Sequence, residues 1–258
     1  MRITFLGTAD GHTSATREHS GILIQTKETT LLLDCGAFAA RYLLAKKFSP
    51  EVPEAIWISH MHSDHIGQLA SLIQSLWLRA RRAPLHLYCP AAVISTLQDW
   101  LEKCLLFPEL LGFRIQWHAI KPGRKYLQTP FILTPFGTQH LKSLAAYFQR
   151  DYPLTCFDCY GVSITYNKEK YVYSADLALA SDLRPALKQP VKALFCELTH
   201  FPEADLFKEL AKHKVAQVFI THYPDHLINR EQDLVRLARQ HKFRGKVRLM
   251  HDKRTEEI

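Results

Sequence analysis

The stretch Ala55-Ile56-Trp57-Ile58-Ser59-His60-Met61-His62-Ser63-Asp64-His65-Ile66-Gly67 places three imidazoles and a carboxylate within six residues. An apolar, strand-like run leads into this group and a helix-like run leaves it. Imidazole nitrogen and carboxylate oxygen at that density suit zinc or a similar first-row divalent metal. His60 and His62 stand two apart, so an extended backbone lets both reach one ion. Asp64 and His65 lie on the next bend, where they can turn toward a second. A loop that merely caps the following helix has no need of four such side chains.

A metal loop must be held at the end of something rigid. Apolar runs predict strands at Ile3–Leu6, Ile22–Gln25, Leu31–Asp34, Ala55–Ser59, Leu85–Tyr88, Phe113–Trp117, Phe131–Phe136 and Ala145–Phe148. Further strands are expected at Val162–Tyr166, Tyr171–Ser174, Ala193–Cys196, Val218–Thr221 and Val247–Met250. Amphipathic stretches predict helices at Phe38–Phe48, Gly67–Arg82, Ala91–Leu105, Leu177–Leu187, Ala204–Lys212 and Arg230–His241. Pro90, Pro185 and Pro202 fall near helix starts or interrupt them. No linker, low-complexity tract or repeat divides the chain, so it reads as one α/β domain over residues 1–258.

With 47% apolar and 22% charged residues the chain is neither disordered nor fibrous. Its formal net charge of +8 permits an anionic partner without requiring one. The opening run is too short and polar for a secretory leader, and nowhere do 18 apolar residues follow one another. Six scattered cysteines then read as reduced thiols of a cytoplasmic protein.

The loop resembles the His-x-His-x-Asp-His hallmark of the metallo-β-lactamase superfamily. That resemblance implies a four-layer αβ/βα sandwich holding two divalent ions, zinc first, with manganese or iron as alternatives. It also supplies the remaining ligands. His140 in Thr138-Gln139-His140, Asp176 in Tyr173-Ser174-Ala175-Asp176 and His222 in Ile220-Thr221-His222 each follow a strand-like run, as the family's do. One ion then takes His60, His62 and His140, the other takes Asp64, His65 and His222, and Asp176 with a bridging hydroxide completes both. His251 also follows a strand and is the alternative to His222. Leu32-Leu33-Asp34-Cys35-Gly36 is similar to the family's first motif, whose Asp supports the metal loop from behind.

Within the superfamily, Phe5-Leu6-Gly7-Thr8 with Arg17 and Ser20, and Glu197-Leu198-Thr199-His200-Phe201, are similar to ribonuclease Z and its small-phosphodiesterase relatives. The absence of a Cys ligand and the His at position 62 set the chain apart from the Cys-using β-lactamases and the di-iron flavoproteins. Only 35 residues separate His140 from Asp176, too few for the arm with which ribonuclease Z grips tRNA. The resemblance therefore implies hydrolysis of a small phosphodiester or a nucleic-acid end. In that chemistry Asp64 is expected to orient the hydroxide and act as base, and His200 or Glu197 is expected to protonate the departing oxygen. A carboxylic ester, thioester or lactone hydrolase on the same ions is the alternative, because fold does not fix function. Superfamily members are often homodimers, though no apolar stripe marks an interface here.

Smaller features stay open at this level. Cys156-Phe157-Asp158-Cys159 has half a zinc-ribbon spacing without a second pair. Basic runs at Arg79-Arg81-Arg82, Lys121-Arg124-Lys125 and Lys242-Arg244-Lys246-Arg248 suit either phosphate backbones or plain solvated faces. His12 and His19 lie on the loop after the first strand, lining the substrate mouth or simply shaping a turn.

Overall fold

The computed structural model describes residues 1–258 and divides them into two units, 1–120 with 252–258, and 121–251. In the first unit the strands are β1 (Arg2–Gly7), β2 (Gly21–Gln25), β3 (Thr30–Leu33), β4 (Ala55–Trp57), β5 (Leu85–Pro90) and β6 (Ile115–Ile120). The second contains β7 (Tyr126–Gln128), β8 (Phe131–Gly137), β9 (Tyr160–Tyr166), β10 (Glu169–Tyr173), β11 (Ala193–Cys196), β12 (Gln217–Ile220) and β13 (Lys246–Leu249). The chain then returns to the first unit as β14 (Thr255–Glu257).

The first sheet runs β14-β1-β2-β3-β4-β5-β6, antiparallel through β3 and parallel from β3 to β6. Its central strands β3 and β4 are buried at every position, as the apolar runs Leu31–Leu33 and Ala55–Trp57 require of strands covered on both faces, with Thr30 the one polar residue among them. The helices of this unit are α1 (Ala39–Ala45), α2 (Ser63–Ile66), α3 (Leu69–Leu78), α4 (Ile94–Lys103) and α5 (Pro108–Leu111). The second sheet runs β13-β12-β11-β10-β9-β8-β7, with β10 to β13 parallel. It carries α6 (Lys142–Phe148), α7 (Glu203–Leu210) and α8 (Glu231–Gln240), and its core packs Leu206, Phe207 and Leu210 of α7 against Leu194, Val218 and Leu249. Each unit thus supplies one sheet with its helices. No helix is long and apolar enough to cross a membrane.

Two expected elements differ. Ala145–Phe148 lies in α6 rather than in a strand, because a four-residue apolar run carries no readable period and Ala145 and Ala146 favour helix. Leu177–Leu187 forms only a 3₁₀ turn at Ala180–Leu183. Pro185 cannot continue a helix there, and the Asp182 carboxylate draws the Ala178 N–H to itself at 3.0 Å. β7, β14 and α5 are additional short elements that no sequence period announces.

Two of the three arginines in the first basic run are structural, and only Arg82 is a solvated face. Arg81 is fully buried, and its guanidinium donates to the carbonyls of Ala83 (2.9 Å), Pro50 (3.2 Å), Pro53 (2.9 Å) and Pro84 (2.8 Å). Burial pushes its pKa down, against the opposing pull of Glu51 and Glu54. Arg79 donates to the Phe48 carbonyl. Arg81→Met would keep the volume and orphan four carbonyls, each worth about 1 kcal/mol or more. Urea denaturation of the variant is therefore expected to show a loss of roughly 3 kcal/mol.

On α7, Glu209 is buried beneath Arg184, whose guanidinium donates to both carboxylate oxygens at 2.8 and 3.0 Å. Arg184 first, then Lys212 and His213, hold this carboxyl at about 2. A folded-state pKa below the unfolded one stabilises the protein above the unfolded pKa near 4.5, and that contribution drains away as pH falls from there toward 2. Glu209→Gln is expected to cost about 1–2 kcal/mol at neutral pH, discounted because Arg184 is solvent-facing, and nothing near pH 2. Denaturant midpoints measured across that range check it.

Candidate metal centre

In the first unit the donors gather at the C-terminal ends of β3 and β4, where parallel strands present their loops. Asp34, just past β3, is fully buried and organises the group. Its carboxylate accepts the Ser59 N–H (2.7 Å), the Ser59 hydroxyl (2.7 Å) and His65 Nδ1 (2.7 Å). An ionised carboxylate can only accept, so His65 carries its proton on Nδ1 and leaves Nε2 as a lone-pair donor. The Ser59 hydroxyl proton is committed to Asp34. His60 Nδ1, 2.9 Å from Ser59 Oγ, must then be the donor, which frees His60 Nε2 in the same way. One aspartate thereby sets two imidazole tautomers, one directly and one through a serine. This is the supporting role the first motif implied.

His62 sits at the start of α2, its carbonyl accepting the His65 N–H at 3.0 Å, and Asp64 and His65 occupy the helix's first turn. The ligand atoms of His60 and His62 lie within 4.8 Å of one another, and Asp64 Oδ2 lies 3.3 Å from His65 Nε2. Gly36 makes this possible: a Cβ there would stand 1.6 Å from the Asp64 carbonyl oxygen. Ser20 joins the same knot, donating its N–H to that oxygen at 3.1 Å. The loop after β1 also reaches the group, since a Cβ on Gly11 would lie 3.7 Å from Asp64 Oδ2. His19 Nδ1 is 3.0 Å from the Asp10 carbonyl, which it can only donate to, while the His12 side chain is almost wholly exposed.

In the second unit the donors follow β8, β10 and β12. Asp176 is buried, and its two oxygens face different imidazoles: Oδ2 lies 3.4 Å from His140 Nε2, and Oδ1 lies 3.7 Å from His222 Nε2. These separations exceed hydrogen-bond lengths. They match ligands sharing a tetrahedral ion, where bonds of about 2 Å put donors roughly 3.3 Å apart. The Asp176 carbonyl accepts the Thr138 hydroxyl at 2.7 Å and the Cys159 thiol at 3.5 Å, tying the His140 turn to the Asp176 loop. Asp182 completes that tie by accepting the Gln139 N–H at 3.0 Å. His251 stands after β13, two strands beyond β11 and three beyond β10 in the sheet, whereas His222 follows β12.

Glu197, after β11, is buried and saturated. Its Oε1 accepts from the Leu177 N–H (2.8 Å) and His200 Nδ1 (2.9 Å), and its Oε2 from the N–H groups of Thr199 (2.7 Å) and His200 (3.2 Å). His200 therefore holds its Nδ1 proton toward Glu197 and turns Nε2 toward Asp176 Oδ2, 3.9 Å away. Thr199 donates its hydroxyl to the His222 carbonyl at 2.8 Å. Both Ala175 (φ 52°) and His222 (φ 46°) adopt left-handed backbone, as does Asp34 (φ 57°), a conformation that costs energy and collects at functional sites. Cys156 and Cys159 are free thiols, so the half-ribbon spacing builds no bridge.

Each unit's donor set, imidazole plus carboxylate at ligand spacing, fits a divalent first-row ion. Ser59, Thr138 and Asp182 act through hydrogen bonds that the sequence motifs do not announce.

The metallo-beta-lactamase fold protein YhfI from Bacillus subtilis matches 100% of this chain and 99% of its own, with a TM-score of 0.78 at 22% identity. The short form of human tRNase Z matches 100% and 99%, with a TM-score of 0.71 at 18% identity. The chain has the metallo-β-lactamase fold. The family model for the anti-Pycsar protein Apyc1 matches residues 1–244, and the chain belongs to that family. The branch read from the motifs agrees with a ribonuclease Z of Methanothermobacter thermautotrophicus, 29% identical over 185 residues, 72% of this chain and 54% of that relative. The chain spans about half the length of the curated relatives it matches.

Proposed function

We propose that the chain is a metal-dependent phosphodiesterase acting on a small phosphodiester or a nucleic-acid end, its two units working as one hydrolase domain. The observation that carries this reading is Asp176, whose two oxygens face two different imidazoles with His200 alongside. The relatives named ribonuclease Z support the phosphodiester class. His60, His62 and His140 would hold one divalent ion, Asp64, His65 and His222 a second, and Asp176 both. Such ions, when bound, lower the pKa of water and neutralise charge on phosphoryl oxygens.

The chain's own groups do the rest. Asp64 orients the attacking water and takes its proton. His200 Nε2 gives a proton to the departing oxygen, and Glu197, saturated by backbone donors, keeps the ring in place and offsets its charge. Glu197 is buried and has no exposed edge from which to donate, which supports His200 rather than Glu197 as the acid.

Elemental analysis coupled to hydrolysis of bis(p-nitrophenyl) phosphate tests the reading. About two ions per chain with chelator-sensitive cleavage is the expected result. Turnover of thioesters or lactones alone would overturn the substrate class, and a folded protein that takes up neither zinc nor manganese would overturn the whole reading.

A further inference from the structure

At the far end of the second unit's sheet lies charge that the candidate metal centre does not use. Asp176, Glu197 and His222 follow the C-terminal ends of β10, β11 and β12. At the opposite ends of those strands, Lys168, Lys170, Lys192 and Lys214 line a depression of about 540 Å³. Lys246 donates its N–H to the Ala216 carbonyl at 2.9 Å, and a Cβ on Gly245 would meet the Val215 carbonyl oxygen at 2.6 Å, so the backbone of Gly245 and Lys246 borders the depression, with Arg244 next in the chain. Glu169 is the single carboxylate lining the depression, and it is occupied by Lys192 Nζ at 2.5 Å and the Tyr171 hydroxyl at 2.9 Å. Lys170 is tied to the Ala186 carbonyl, whereas Lys168, Lys214, Arg244 and Lys246 are exposed.

The row crosses from the turn before β10 to β13. Three strand spacings of about 4.8 Å make it roughly 14 Å long. That exceeds one phosphate and faces about four along a nucleic-acid strand, which presents one per ~3.4 Å of axis. None of the large apolar side chains exposed on this unit lies in the depression. It therefore offers neither a stacking platform for splayed bases nor an apolar anchor for a bilayer. We propose that this face docks the phosphate backbone of a nucleic-acid duplex without reading its sequence. The proposal stands apart from the catalytic reading, because its residues lie at the other end of the strands from the ligands.

The test is fluorescence anisotropy of the full chain with a labelled DNA duplex of about two helical turns, titrated between about 50 and 200 mM salt. The comparison is the triple variant Lys168→Glu, Lys214→Glu, Lys246→Glu. Wild type is expected to bind with steep salt dependence. The variant is expected to bind at least about tenfold more weakly, with a log–log salt slope lower by roughly three. Its circular dichroism and its turnover of bis(p-nitrophenyl) phosphate should match wild type. Equal affinity of the two proteins overturns the assignment, and so does capture of wild type by phosphatidylserine vesicles with no binding to the duplex. Salt-dependent duplex binding lost in the variant, in a protein that cleaves no phosphodiester, would sink the catalytic reading and leave this one standing.

Discussion

Asp176→Ala is expected to leave a folded protein that has lost most of its metal and at least about 10³-fold in kcat/KM, the several kcal/mol that metal ions contribute to phosphoryl chemistry. Asp176 is buried at the mouth of β10 with its side chain facing His140 and His222 rather than the apolar core, so truncation leaves the packing of β10 and β11 intact. The same carboxylate lies between imidazoles on two separate loops, and its loss should lower metal content as well as rate. Metal analysis of the purified variant beside its circular dichroism checks both halves. A folded, metal-depleted variant that still cleaves at the wild-type rate would refute the proposed chemistry.

The second large effect concerns the departing oxygen. His200→Ala should cost roughly 10²–10⁴ in rate on a phosphodiester with an alkoxide leaving group, the range over which a positioned acid acts. On bis(p-nitrophenyl) phosphate it should cost far less, because nitrophenolate leaves without a proton. A residue that merely packs against its neighbours would slow both substrates alike. Glu197→Gln should follow the same leaving-group pattern at about 10–100-fold, since it acts through the orientation and charge of the His200 ring. Leaving-group series measured on the three proteins distinguish an acid and its positioning partner from a structural pair.

What the sequence could say about this site depended on how far apart its parts lie along the chain. His60, His62, Asp64 and His65 are neighbours, and residue type with spacing is enough to read them. His140, Asp176 and His222 are single residues after unrelated strands, and only the family resemblance picks them out from ordinary strand-end polar groups. Ser59 and Asp182 were beyond either route, because what matters is which backbone or ring nitrogen each hydroxyl or carboxylate meets after folding. Most strands were legible from apolar runs. α6 was not, for want of a period, and Leu177–Leu187 has a helical composition in a segment where Pro185 and the Asp182 side chain compete with the helix for its backbone. Arg81 makes the same point about charge: three arginines in four positions look solvated until the carbonyls around one of them are known.

The pairing of β14 with β1, with Arg2 opposite Glu257 and Thr4 opposite Thr255, bears on how the protein is made. The first sheet is interrupted by the whole of the second unit before the strand that covers its edge is synthesised. Until then β1 presents unpaired N–H and C=O groups to any other nascent chain. The second unit, continuous in sequence from residue 121 to 251, faces no such delay and can close its sheet as it emerges. Synthesis therefore passes through an interval in which the half that carries His60-x-His62-x-Asp64-His65 still has β1 as an open edge while every strand of its companion has already found its neighbours, and a chain held there is the one most exposed to edge-to-edge association.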